Sequence, residues 1–229
     1  MPEKTKAVSA NQWCFPEDAV SFLAQLKKNN NREWFTAHKS EFEDVIQRPA
    51  KELCSHMREL LEKLTGAAHA SKIFRVHRDV RFSKDKSPYK PHLHILFRTV
   101  DEPQDGLGHP AWFFGLETER LAVGCGVFTF EKEALTTFRE RVGGDDGAVL
   151  EKTVSRLIAQ GFRLRDPELK KVPSGFPNDH PRADLLLRKG LTVWGDHDGG
   201  SAAALAPTLI PSTIALYRKM NPVVDWLNA

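Results

Sequence analysis

Ser71-Lys72-Ile73-Phe74-Arg75-Val76-His77-Arg78-Asp79-Val80-Arg81-Phe82 is the stretch on which the fold turns. Before it, apolar residues recur every three or four positions; within it they recur every second position. Phe74, Val76, Val80 and Phe82 fall on one face of an extended strand, and Arg75, His77, Asp79 and Arg81 on the other. Lys84-Asp85-Lys86-Ser87-Pro88 has the composition of a turn. Residues 92–98 resume the alternation, with Leu93, Ile95 and Phe97 inward and His92, His94 and Arg98 opposite. Residues 111–117 and 121–128 form two more strands around a tight connection at Glu119-Arg120. Strands joined this closely predict an antiparallel meander of four or more strands in an α+β fold, with helices packed on one face.

Upstream, the pattern is helical. Phe15-Pro16-Glu17-Asp18 starts a helix with proline and acids in its first turn, and Phe22, Leu23 and Leu26 supply its stripe. Asn29-Asn30-Asn31 ends it, and Asn31 is placed to cap a short helix carrying Trp34 and Phe35. After Pro49, Leu53, Met57, Leu60, Leu61 and Leu64 repeat at helical spacing until Gly66. Downstream, residues 131–142 and 148–160 return to helix, and 184–189 and 207–220 predict two more. Between them, residues 170–181 carry Pro173, Pro177 and Pro181, which exclude regular structure there. The reading is one domain over 1–229, helical at 15–66, a sheet at 71–130, and helical and loop-rich at 131–229.

The chain has a net charge of +3, yet residues 72–90 hold Lys72, Arg75, Arg78, Arg81, Lys84, Lys86 and Lys90 against only Asp79 and Asp85. That segment is net +5, so the remainder is slightly acidic. A generally basic nucleic-acid coat is thereby excluded; the positive charge has one focus. Cys14, Cys54 and Cys125 have neither zinc spacing nor a disulfide framework, which favours a reducing compartment. No segment approaches the roughly 20 apolar residues of a membrane helix, and the N-terminus lacks the apolar run of a signal peptide. Cytoplasmic location without a membrane partner is the expectation.

The arginine focus directs the chemistry. Guanidinium groups bind planar oxyanions in pairs of hydrogen bonds, so Arg75, Arg78 and Arg81 suit a small carboxylate or phosphate. Arg78 interrupts the apolar face, and a buried guanidinium needs a partner. Asp79 would orient an arginine or accept a proton, while Tyr89 and Lys90, with Lys86, would close over the ligand from the turn. Gly124 and Gly126 alternate on a neighbouring strand, where missing side chains leave room for another group or mark a bend. Lys171, Asp179 and His180 on the proline-rich loop supply a second wall.

Three alternatives stand beside that reading. The same basic strand and loop would track the phosphates of a nucleic acid, with Trp34 or Phe35 stacking on bases or packing in the core. His92, His94 and Asp79 would form a metal set. The arginines would instead tie helices to sheet through Glu33, Glu41 or Glu43. Signatures of P-loop, dinucleotide-binding, serine-hydrolase and zinc-protease sites are absent, and no particular cofactor is indicated.

Asn30-Asn31-Arg32 with Trp34-Phe35, the run Arg75-Val76-His77-Arg78-Asp79-Val80-Arg81-Phe82-Ser83-Lys84-Asp85-Lys86-Ser87-Pro88-Tyr89-Lys90, and Gly124-x-Gly126 carry a resemblance over nearly the whole chain. Pro173-x-Gly175-Phe176, Asp179-His180-Pro181, Leu186 and Lys189 extend it. The sequence resembles the family known as domain of unknown function 2461, of bacteria and longer fungal proteins; the resemblance implies a shared enzymatic role without naming one. His92 and Leu187-Arg188-Lys189 depart from the family pattern.

Overall fold

The computed structural model describes residues 10, 12–81, 84–101 and 108–229. Phe82, the last residue of the expected arginine-bearing strand, lies outside the described residues.

The N-terminal helices form where the sequence places them. Helix α1 (Asp18–Lys28) buries Ala19, Phe22, Leu23 and Leu26. Asn31 caps α2 (Arg32–Ala37), its side-chain oxygen accepting the Trp34 N–H at 2.9 Å. Helix α3 (Lys39–Phe42) passes through a π-helical turn (Glu43–Gln47) into α4 (Arg48–Thr65). Pro49 occupies the first turn of α4, directly after the π-helical turn. Gly66 ends it with φ 77°, a left-handed geometry that glycine adopts without penalty.

Six antiparallel strands make one sheet: β1 (His69–Ile73), β2 (Leu93–Thr99), β3 (Ala111–Leu116), β4 (Leu121–Val127), β5 (Arg163–Leu164) and β6 (Leu191–Asp196), in the order β1-β2-β3-β4-β6-β5. The first four are the expected meander. The sheet is not confined to residues 71–130, because β5 and β6 add to it from the far end of the chain. Leu191-Thr192-Val193-Trp194 has strand composition between Gly190 and Gly195.

The arginine-bearing strand is a second correction. Regular pairing of β1 stops at Ile73, which faces Ile95. Beyond it, His77 faces Tyr89, so four residues forward on one side match six residues back on the other. The surplus lies around Pro91, which has no N–H to offer the ladder. What remains is a narrow hairpin held by Lys90 N–H to the Val76 carbonyl and Arg78 N–H to the Pro88 carbonyl, both at 2.8 Å. Phe74 and Val76 therefore do not share a face: Val76 packs on the helix side and Phe74 on the other.

Helices α5 (Lys132–Gly143), α6 (Asp146–Ala159), α7 (Ala183–Leu186) and α8 (Leu209–Asn228), with a 3-10 turn (Gly200–Leu205), complete the chain. Buried Val223, Val224 and Trp226 carry α8 past Pro222, beyond the expected end at 220. Phe97, Trp112, Val123 and Val193 join the helices in one apolar cluster. At its centre Tyr217 of α8 lies 4.9 Å from the Trp112 ring and donates its hydroxyl to the Phe113 carbonyl at 2.9 Å. Alternate residues point the other way. Leu96, Ala111 and Phe113 form a second, smaller cluster with Phe74, Phe128 and Trp194 on the face that bears no helices.

Candidate functional site

That second face is concave. It carries a hollow of about 740 Å³ bounded by Phe74, Phe113, Phe128 and Trp194 and rimmed by charged side chains from β2, β5 and the β3–β4 turn. Two glycines make room for the rings that line it. A Cβ on Gly115 would come within 3.2 Å of the His94 ring, and one on Gly124 within 2.8 Å of the Trp194 ring. The two rings cover the places where side chains would stand, so they line the hollow by lying across the sheet. Gly126 has another cause: its φ is 121°, and a Cβ would sit 2.0 Å from the Leu191 carbonyl oxygen. It lets β4 and β6 approach and opens no pocket.

Charge is arranged around the rim in a chain of partners. Arg163 places one nitrogen 2.8 Å from both carboxylate oxygens of Asp196. Arg120 lies 3.8 Å from Asp196 and 3.5 Å from Glu117, which is in turn 3.7 Å from His94 Nε2. Arg165 donates to the Phe128 carbonyl at 2.9 Å and lies 3.3 Å from Glu168. The buried Arg188, 2.7 Å from Asp184, donates to the Arg165 carbonyl and so fixes the backbone of this wall. Lys90 differs from the rim arginines: its ammonium makes no hydrogen bond or ion pair with a described residue, and it borders the hollow beside His94.

His92 and His94 stack with ring centroids 3.9 Å apart. Burial, then the charges of His94, Lys90 and Arg78, pull His92 down to about 4. Burial also lowers His94, against the opposing pull of Glu117. Both rings are thus held neutral near pH 7, and the local positive charge rests on Lys90 and Arg78.

The expected site residues divide. Lys90 and the glycine-bearing strand meet at the open face. Arg78 pairs with Asp85 at 2.9 Å, leaving its buried Nε without a partner. Arg81 grips Asp79 through two side-chain hydrogen bonds of 3.0 and 2.7 Å, and that hydrogen bonding, first among the causes, holds the Asp79 carboxyl below its usual range. Lys86 donates to the Val80 carbonyl at 2.8 Å. Arg75 and His77 border a different hollow, on the helix side. Glu33, Glu41 and Glu43 are not the partners of Arg78 or Arg81; the local aspartates are.

Tyr89 is buried and stacks on Phe35 at 4.1 Å. Asn30 clips its backbone by receiving the Tyr89 N–H at 3.0 Å and donating to its carbonyl at 2.9 Å. Phe35 is accordingly a core residue, while the half-buried Trp34 stacks on His38 at 4.1 Å. The proline-rich loop packs against the end of α5, with Phe176 beside Gly143 and Arg182 donating to the Val142, Gly143 and Gly144 carbonyls. Neither Lys171 nor His180 borders the open hollow; His180 Nδ1 accepts the Arg182 N–H at 3.0 Å. The metal alternative is not assembled either. Asp79 is engaged by Arg81, and among the described residues no three His, Cys, Asp or Glu side chains gather as a metal set.

Sequence reasoning missed Trp194, Phe128, Arg120, Arg163 and Arg165. The signal for Trp194 was present in a β-branched run flanked by glycines; nothing local tied the others to the same face.

The fold and hollow define an α+β protein with one helix-covered and one ligand-sized open sheet face. Residues 18–226 match the model of the family described as conserved hypothetical protein (DUF2461), and the chain belongs to that family. No curated protein matches the chain.

Proposed function

We propose that the chain acts, as an enzyme or a binding domain, on a small anionic ligand with a planar apolar body, held in the open-face hollow. One observation carries the reading: the Lys90 ammonium, without a hydrogen-bond or ion-pair partner among the described residues, stands at the edge of a hollow walled by Phe74, Phe113, Phe128 and Trp194. Aromatic walls favour a flat body, and such a cation at their edge favours a carboxylate, phosphate or sulfonate. Arg120, Arg163 and Arg165 add positive potential while staying paired, so they shape the field without requiring the ligand for neutrality. The arginine-rich hairpin contributes Lys90 and the nearby Arg78 charge, in place of the direct grip by Arg75, Arg78 and Arg81 expected of a strand.

The volume supports a small molecule over a polymer, since small-molecule clefts span roughly 300–1,000 Å³. Among the described residues no helix is long and apolar enough to cross a membrane. A cytoplasmic setting, in which the three free thiols stay reduced, belongs to the same reading.

Fluorescence titration with 1-anilinonaphthalene-8-sulfonate, compared with its neutral analogue N-phenyl-1-naphthylamine, tests it. The sulfonate binds more tightly to the native chain, and Lys90→Gln removes about tenfold of that preference at unchanged melting temperature. Equal binding of the two dyes to native and variant protein sinks the proposal. Displacement of the dye by a single-stranded oligonucleotide with a steep salt slope would transfer the face to nucleic acid.

A further inference from the structure

A second hollow, of about 510 Å³, lies between the α3–α4 segment and the root of the hairpin, and it shares Phe74 with the first. Phe35, Phe42, Ile46 and Val76 contribute its apolar lining. Cations reach it from two separate parts of the chain: Lys51 from the first turns of α4 and Arg75 from the strand-to-hairpin junction, with the His77 imidazole beside them. The π-helical turn is part of its wall, since Glu43, Ile46 and Gln47 all border it. A π-turn inserts an extra residue per turn, and such turns recur at functional sites.

The charges do not cancel within the hollow. Its single lining carboxylate among the described residues, Glu43, lies 3.9 Å from Lys39. The Lys51 ammonium and the Arg75 guanidinium make no hydrogen bond or ion pair with a described residue, and Asp79, whose charge Arg75 feels, is engaged by Arg81. Arg75 is thus set apart from Arg78 and Arg81, which are matched to Asp85 and Asp79. A guanidinium and an ammonium over aromatic and aliphatic lining match an oxyanion attached to an apolar body.

We infer that this hollow is a second binding site, for a phosphate or carboxylate carried on an apolar group, with Lys51 and Arg75 on the oxyanion and Phe35 and Phe42 against the body. It stands independently of the open face, because different cations and different aromatics build it.

Titration of the isotopically labelled full chain with phenyl phosphate, followed by backbone amide shifts, tests the assignment, with inorganic phosphate as the comparison. Shifts gather at Lys51, Arg75 and His77, phenyl phosphate binds more tightly than inorganic phosphate, and Arg75→Gln and Lys51→Gln each weaken it about tenfold. Both replaced side chains are exposed, and an unchanged melting temperature verifies folding of each variant. Unaltered affinity in both variants, equal affinity for the two phosphates, or shifts confined to the Trp194 face overturns the assignment. The two-dye assay run on the same samples reports on the open face, so a failure here is read separately from a failure there.

Discussion

The two faces of the sheet are built from the same strands and differ only in which alternate residues they present. On the covered face Phe97, Trp112, Val123 and Val193 interlock with helices and exclude solvent. On the open face the positions between them include Gly115, Ala122 and Gly124, and the neighbouring aromatic rings lie across the gaps. A pleated sheet can therefore carry its folding energy on one side and leave the other for recognition, provided small residues keep the second side low. The difference teaches that glycine in a strand is informative only with its cross-strand neighbour: Gly124 makes room for a ring, whereas Gly126 makes room for a backbone.

Substitutions can break that division, and the largest effect falls on the covered side. Trp112→Ala removes a ring that is fully buried against Tyr217 and costs about 3–5 kcal/mol, read as a lower denaturation midpoint and a melting temperature down by about 2–4 °C per kcal/mol. Trp194→Ala, its counterpart on the open side, lowers stability less because the ring is half-buried. Its main effect is to weaken the anionic dye about tenfold, in line with the roughly 1–3 kcal/mol of a base–aromatic stack. If Trp194→Ala destabilises as much as Trp112→Ala while leaving dye affinity unchanged, the division into a structural and a recognition face fails.

Acid sharpens the comparison further. Burial holds His197 at about 4, where Ser212 and Thr213 hydroxyls flank its nitrogens at 3.2 and 3.1 Å, and His92 is held at about 4 at the border of the second hollow. Between these values and the unfolded value of about 6.5, the unfolded chain binds more protons than the folded one. Stability is therefore full above about pH 6.5 and declines as pH falls toward 4. Urea midpoints measured across that window show the decline, and His197→Gln and His92→Gln each flatten it. A midpoint independent of pH in the native chain would contradict these environments. The smallest effect belongs to Arg81→Gln: this exposed arginine is engaged with Asp79 away from both hollows, so the dye titration is expected to be unchanged.

Local pattern made much of the fold readable. The stripe Leu53, Met57 and Leu61, its Gly66 stop and the Asn31 cap all depend on neighbours within a turn or two, and they form as expected. The meander was equally legible, because β2 alternates and β3 and β4 are apolar runs joined by a tight turn. Two features depended on distant partners. The break after Ile73 follows from Pro91 on the returning strand, and β6 acquires its place only by pairing with β4 across the intervening α5, α6, β5 and α7. The site follows the same rule. Lys90 and Gly124 were singled out by charge focus and strand composition, whereas Arg163, Arg165 and Trp194 reach the same face solely through the β4-β6-β5 order. Irregularity alone misdirected Lys171 and His180, whose loop serves the end of α5.

The Asn30 clip on the Tyr89 backbone joins positions 59 residues apart in the chain. It gives the hairpin its own opening equilibrium, below the free energy of global unfolding. Deuterium uptake at the Tyr89 amide in the native chain is thus a clock for release of the segment that carries Lys90, running faster than exchange at the Trp112 amide of the central strand.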